Sequence, residues 1–402
     1  MNIMRIIIVA LSLVLGIGCG RAEDGLAVRN VVVARDGKAM LAIETAFESD
    51  VFFGYELKVQ LPKGLSIALN SGGKPVAESH TDLDIVGSVM STTADATTYQ
   101  FVASKMGNPR IPAGSYVLAT MPIESDGTLA VGSELACSVN DILFSDGTQT
   151  GRKMQNLAFT VTVSDKVVLD ENSPVVPMAT DGSTDLLVKR TIKAGEWSTL
   201  CLPFEMDGAQ VEAAFGDDVE LAEFDSYELN DDGAIEVFFT ESDPADGLYS
   251  NWPYIVKTSR AIAEFELHAQ VEPDEEAAVT EYETGKGKNK KTVGTFTGTL
   301  HAGTVIPQSN LFLNGNKFYY SVGKTKSKAF RAYFWFEDVI ADLGTAEARI
   351  SLHVDERQPS AIATPTGEAA EAVPLYDLQG RQVEQPVKKG IYVRNGKKVI
   401  IK

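Results

Sequence analysis

From Leu26 onward, apolar and polar residues alternate with a period of two in short stretches, punctuated by Gly, Pro, Asn and Asp. The clearest instance carries Phe53, Tyr55, Leu57, Val59 and Leu61 on one face and Glu56, Lys58 and Gln60 on the other, before Pro62-Lys63-Gly64 turns the chain. A strand with one dry and one wet face lies on a core. The same pattern predicts strands over 26–33, 40–47, 98–103, 115–121, 134–144 and 157–163, a number that suits a β-sandwich. The polar stretch between Asn70 and Ala96, with Gly72-Gly73 and acids around His80 to Asp84, reads as a loop over that sandwich.

Pro174, Pro177 and Gly182 among polar residues mark a boundary within 165–185. Beyond it, strands are predicted at 188–192, 197–203, 235–240, 265–271, 293–300, 318–322, 331–336 and 349–354. One helix is expected, capped by Asp207, burying Val211, Ala214 and Phe215, and ended by Gly216. Residues 358–372, rich in Ala, Pro, Thr and Glu without apolar periodicity, read as a spacer. The stretches 374–383 and 389–402 then read as short strands joined by Gly and Asn-Gly turns.

The first residues differ in kind. An apolar run from Ile6 to Ile17 follows Arg5, too short for a membrane span and the right length for the core of an export signal. Two processing readings fit. Leu15-Gly16-Ile17-Gly18-Cys19 is a loose lipobox that would lipidate Cys19, and Gly20-Arg21-Ala22 offers small residues for cleavage before Glu23.

Length and charge sharpen this picture. At roughly 150 residues per domain, 402 residues make two or three domains. The formal net charge of −19 argues against a surface that accumulates on nucleic acid, and leaves a lipid anchor as the one membrane contact expected. The final 29 residues carry seven basic and two acidic side chains, +5 in a chain whose remainder is −24. Three cysteines cannot form a disulfide scaffold.

Three resemblances attach to particular residues. The strand from Phe53 to Pro62, followed by Lys63-Gly64-Leu65, resembles cohesin and related carbohydrate-module sandwiches over about 140 residues, which implies a non-catalytic binding module. Gly195 to Phe204, Asn310 to Tyr320 and Ala329 to Phe334 resemble a β domain repeated in Bacteroidetes surface proteins, again implying a displayed, non-catalytic module. Tyr376, Asp377, Gly380 and Arg381, with Gly390-Ile391-Tyr392 and a basic final residue, resemble C-terminal sorting domains linked with type IX secretion.

Sites of chemistry are harder to find. No Gly-x-Ser-x-Gly occurs, so a hydrolase of that class is not expected. His80, His268, His301 and His353 are widely spaced and lack the pair of histidines at helical spacing that lets one helix face hold a metal. Cys137 and Cys201 have no adjacent cations to activate a thiolate. Gly285 to Thr292 superficially resembles a phosphate loop but reads as a solvated hairpin loop. Glu228, Asn230, Asp232 and Gly233 follow the start of a calcium loop, yet the twelfth position is Phe239 where a bidentate Glu is required, so Asp231-Asp232-Gly233 reads as a turn. Fifty-five acids make some carboxylate pair inevitable, and a glycosidase would be recognised only by its geometry. Among aromatics, Trp252 and Tyr254 follow a loop-like Gly247 to Asn251 and are candidate glycan contacts. Trp335 is a third, although Tyr333 and Trp335 alternate with Phe334 and Phe336, which makes both faces of that strand apolar and points to burial between its sheet and a neighbour.

The expectation is therefore an all-β protein: a signal peptide at 1–22, a cohesin-like sandwich at 23–165, a linker at 166–185, a second β-rich domain at 186–356, a linker at 357–373 and a small β module at 374–402. It would be secreted or held at the outer membrane or cell surface, and act as an adhesin-like binding or scaffolding protein for an extracellular protein or polysaccharide, without catalysis or cofactor. An accessory carbohydrate-binding protein is the first alternative, a secreted hydrolase the second.

Overall fold

The computed structural model describes residues 24–49, 51–229, 235–274, 279–285, 290–337 and 350–354, and the tail strands at 375–377, 382–383, 390–394 and 397–401. The chain divides into two compact units, 1–356 and 357–402. Secondary structure is almost entirely β.

The first part of the larger unit contains β1 (Gly25–Val28), β2 (Val31–Ala34), β3 (Lys38–Ala46), β4 (Gly54–Pro62), β5 (Leu65–Ile67), β6 (Glu78–Ser79), β7 (Asp84–Thr92), β8 (Ala96–Ser104), β9 (Val117–Ser125), β10 (Glu134–Ser145), β11 (Arg152–Lys153) and β12 (Leu157–Ser164). They form two facing sheets. One runs β1-β3-β9-β5 with β6 beside β9, and the other β2-β12-β10-β4-β8-β7 with β11 beside β10. Alternate residues of both meet in one core: Leu41, Ile43, Met121 and Ile123 from the first sheet, Leu57, Val59, Phe101, Val139 and Val161 from the second. Each such side chain contributes about 1.5–3 kcal/mol when fully buried. Phe47, Phe52 and Phe144 close one end with ring centroids 4.9–5.3 Å apart.

Two expectations change here. The predicted 26–33 strand is two strands in different sheets, with the break at Arg29-Asn30. The predicted loop between Asn70 and Ala96 holds β6 and the nine-residue β7, an edge strand paired only with β8. An edge strand buries little, so its sequence lacks the alternation that marks β4.

The second part comprises β13 (Val167–Asp170), β14 (Thr184–Lys189), β15 (Ser198–Leu200), α1 (Gly208–Phe215), β16 (Glu220–Leu229), β17 (Ile235–Ser242), β18 (Tyr254–Lys257), β19 (Phe265–Ala269), β20 (Val279–Thr284), β21 (Lys291–Thr299), β22 (Leu311–Asn314), β23 (Lys317–Tyr320), β24 (Arg331–Phe336) and β25 (Ile350–Val354). Its sheets run β13-β14-β19, β15-β18-β16-β17-β25 and β20-β21-β24-β22-β23. The two five-stranded sheets share a core rich in phenylalanine, including Phe224, Phe239, Phe296 and Phe334. A neighbouring core gathers β13, β14, β19 and α1. In α1 the Asp207 carboxylate accepts from Gln210 N–H at 2.8 Å, the Gln210 side chain accepts from Asp207 N–H at 2.9 Å, and Gly216 ends the helix at φ 107°. The segment expected as a linker thus supplies a strand: β13 pairs in parallel with β14.

A buried ionic cluster ties that segment down. Arg190 is fully buried and donates to the carbonyls of Phe330 (3.1 Å), Thr199 (2.6 Å) and Thr191. Glu171, just past β13, lies 3.6 Å from Arg190 and accepts from Lys328 (2.8 Å) and Arg331 (2.9 Å). Burial pushes the Glu171 carboxyl up, but the bond from Lys328 and the charges of Arg331 and Arg190 outweigh it and hold it below the usual carboxylate range. Burial lowers the Arg190 pKa, and its three carbonyl partners satisfy its forked donors.

In the smaller unit, β26 (Leu375–Asp377), β27 (Gln382–Val383), β28 (Gly390–Arg394) and β29 (Lys397–Ile401) form an antiparallel sheet in the order β27-β26-β28-β29. Tyr376, Asp377, Gly390 and Tyr392 lie on its strands, whereas Gly380 and Arg381 fall outside the described residues.

Candidate binding face

The sheet containing β10, β4, β8 and β7 buries one face against the sandwich core and turns the other to solvent. Register lines the outward residues into rows. Leu143, Glu56, Val102 and Val86 form one row; Asn140, Lys58, Gln100 and Ser88 the next; Ser138, Gln60, Thr98 and Ser91 a third. Val86 and Val102 sit side by side at 57% and 42% exposure, with Val89 and Met90 also exposed on β7.

Local structure explains why the apolar row points outward. Gly87 faces inward opposite Phe101, where an added Cβ would stand 2.6 Å from the Pro75 carbonyl oxygen and 2.7 Å from the Phe101 ring. With that side closed, Val86 and Ser88 take the open side. Across the face from β7, the interior strand β10 bulges between Asn140 and Leu143, with Asp141 at φ 48°. The bulge aims the Asp141 carboxylate at Lys58, 2.8 Å away. That bond raises the Lys58 pKa and lowers that of Asp141, so both stay charged at neutral pH. The face therefore offers an apolar strip, one fixed ion pair and a field of hydroxyls and amides.

Other candidates fall in separate places. Trp252 is half-buried and its indole N–H donates to Glu223 at 2.8 Å. Tyr254 is 2% exposed and its hydroxyl accepts from Tyr249 N–H, so a glycan contact through its ring is set aside: its neighbours on β18 pair with β15 and β16, leaving the ring inside the core. Trp335 stands on the outward side of β24 at 36% exposure; this strand is covered on one face, not both. Cys19, the chain up to Ala22 and Asp231-Asp232-Gly233 lie outside the described residues.

Reactive groups do not converge on this face. Cys137 and Cys201 are buried free thiols in different cores, and burial pushes them up to about 11 and about 12. His80 bonds to Thr120, His268 to Asp185 and His301 to Ala302, three distant sites. Among the described residues no three His, Cys, Asp or Glu side chains group as metal ligands. A groove of about 810 Å³ runs between β2–β3 and residues 172–183; of the four cations that line it, Arg29 and Lys38 are paired with Glu44 and Glu124, and Arg35 donates to the Gly127 carbonyl. Reading the sequence alone misses Val86 and Val102 as a pair, because only register brings them together across β7 and β8.

No family model matches this chain, nor does any curated protein. Among solved structures it is similar to cohesin modules. A non-cellulosomal cohesin from the hyperthermophilic archaeon Archaeoglobus fulgidus matches at 12% identity and a TM-score of 0.26, covering 35% of this chain and 92% of that one. A type III cohesin module from a cell-surface anchoring scaffoldin of Ruminococcus flavefaciens matches at 12% identity and 0.28, covering 36% and 89%. The seventh ScaB type I cohesin from Pseudobacteroides cellulosolvens matches at 11% identity and 0.26, covering 36% and 94%.

Proposed function

We propose that this chain is an exported, cell-surface binding protein without catalytic activity, and that its N-terminal sandwich captures an extracellular protein on the outward face of β10, β4, β8 and β7. The observation that carries the reading is the exposed Val86–Val102 pair within a flat field of Ser, Thr and Gln side chains. Apolar groups ringed by polar ones are the usual anatomy of a protein contact. Burying each valine under a partner would contribute about 1.5 kcal/mol, and the Lys58–Asp141 pair in the neighbouring row would favour one orientation. Export rests on the apolar run before Cys19, and display on the basic tail from Pro374.

The test is retention of extracellular proteins by the immobilised full chain and by its Val86→Asp/Val102→Asp variant. A protein held by the first and lost from the second, at equal thermal stability, supports the assignment. Equal retention by both sinks it.

A further inference from the structure

We infer that the outward face of the β20-β21-β24-β22-β23 sheet is a stacking surface for a neutral polysaccharide, independent of the sandwich face. On β24, Tyr333 and Trp335 point away from the core, since Phe334 and Phe336 between and beyond them are buried in it. Leu311 pairs with Phe334 and both are fully buried, so Phe312, the next residue, falls on the outward side next to Tyr333. Phe312 in turn pairs with Tyr319, their rings 5.7 Å apart and inclined by only 22°. Three adjacent strands thus place Tyr333, Phe312 and Tyr319 in a row about 10 Å long, with Trp335 about 7 Å farther along β24. Among the described elements, those that pack most closely on this sheet, β15, β16 and β25, belong to the sheet across the core.

Such a surface suits several ligand chemistries, and the surrounding charges choose between them. Aromatic faces are electron-rich and attract the polarised C–H face of a pyranose as well as a nucleobase. A single-stranded nucleic acid or polyuronate would also need free cations along its path. Here Glu281 projects beside Thr295 in the row of Trp335. The bordering cations Arg331, Lys290 and Lys291 are held by Glu171, Glu283 and Glu337, with Lys317 at the outer end of β23. A charge-balanced, hydroxyl-bearing border offers hydrogen bonds to sugar hydroxyls, and among the described residues it presents no run of cations for an anionic chain to follow.

The experiment is affinity electrophoresis of the full chain in gels containing a soluble β-glucan, xylan, mannan or polygalacturonate, with a single-stranded oligonucleotide shift assay beside it. Retardation by at least one neutral polysaccharide is expected. Trp335→Ala should weaken it roughly tenfold, the size of one lost stacking contact. Trp335→Phe, which keeps a ring and so guards against misfolding, should retain most of it. The Val86→Asp/Val102→Asp variant should be retarded like the parent, which separates this inference from the proposed protein-binding role. Absence of retardation by any neutral polymer, binding only to polygalacturonate or the oligonucleotide, or unchanged retardation of Trp335→Ala would each overturn it.

Discussion

Replacing Glu171 by Gln should destabilise the larger unit more than any single change on its surface. The carboxylate is 4% exposed at its side chain and serves three cations, of which Lys328 and Arg331 keep partial access to water and Arg190 has none. After the change Lys328 and Arg331 can turn outward, whereas Arg190 keeps its carbonyl bonds but loses its one close opposite charge. Removing one partner of a buried pair costs about 3–5 kcal/mol, and the solvent escape open to two cations places this case near 3 kcal/mol. The measurement is guanidinium denaturation of the full chain, read as a fall in midpoint at constant slope. Adding Arg190→Met should recover part of the loss, because the two changes share one interaction. A loss below about 1 kcal/mol, or strict additivity with Arg190→Met, would refute the reasoning. The pH dependence follows the same geometry. The folded pKa of Glu171 lies below its ordinary value of 4.5, so its contribution is complete above that value and disappears as pH falls through the folded pKa. The midpoint of Glu171→Gln should therefore depend less on acid than that of the parent.

Gly87→Ala should cost about 1–3 kcal/mol in the same assay, since its Cβ meets the Pro75 backbone and the Phe101 ring; a neutral result would mean that β7 does not pack on the 70–77 loop. Cys19→Ala should release the protein from membrane fractions, and unchanged partitioning would refute anchoring at that thiol. Deletion from Pro374 should abolish protease accessibility on intact cells, whereas normal display after truncation would reject a sorting role for the tail.

Local features were readable from the sequence and non-local ones were not. The helix between Asp207 and Gly216 was legible to the residue because its capping box, apolar face and terminating glycine are all contained within it. β4 and β24 were legible because each buries every second residue. β16 escaped because a bulge between Phe224 and Ser226 breaks its period amid acids. Arg190 looked like an ordinary strand-end cation; its burial depends on Glu171 and on Lys328 and Arg331, far away in sequence. Of the aromatic surface, Trp335 was legible as a candidate, while Phe312 and Tyr319 join it only through the Leu311–Phe334 pairing.

The parallel partnership of β2 with β12 has a temporal meaning. Val31–Ala34 lies near the start of the sandwich and Val161–Ser164 at its close, with antiparallel strands wound between them. A polypeptide emerging in order cannot seal this sheet until its last strand arrives, and a pairing with so large a loop to close forms slowly. Until β12 arrives, the nascent module would hold β2 and β10 as unpaired sheet edges.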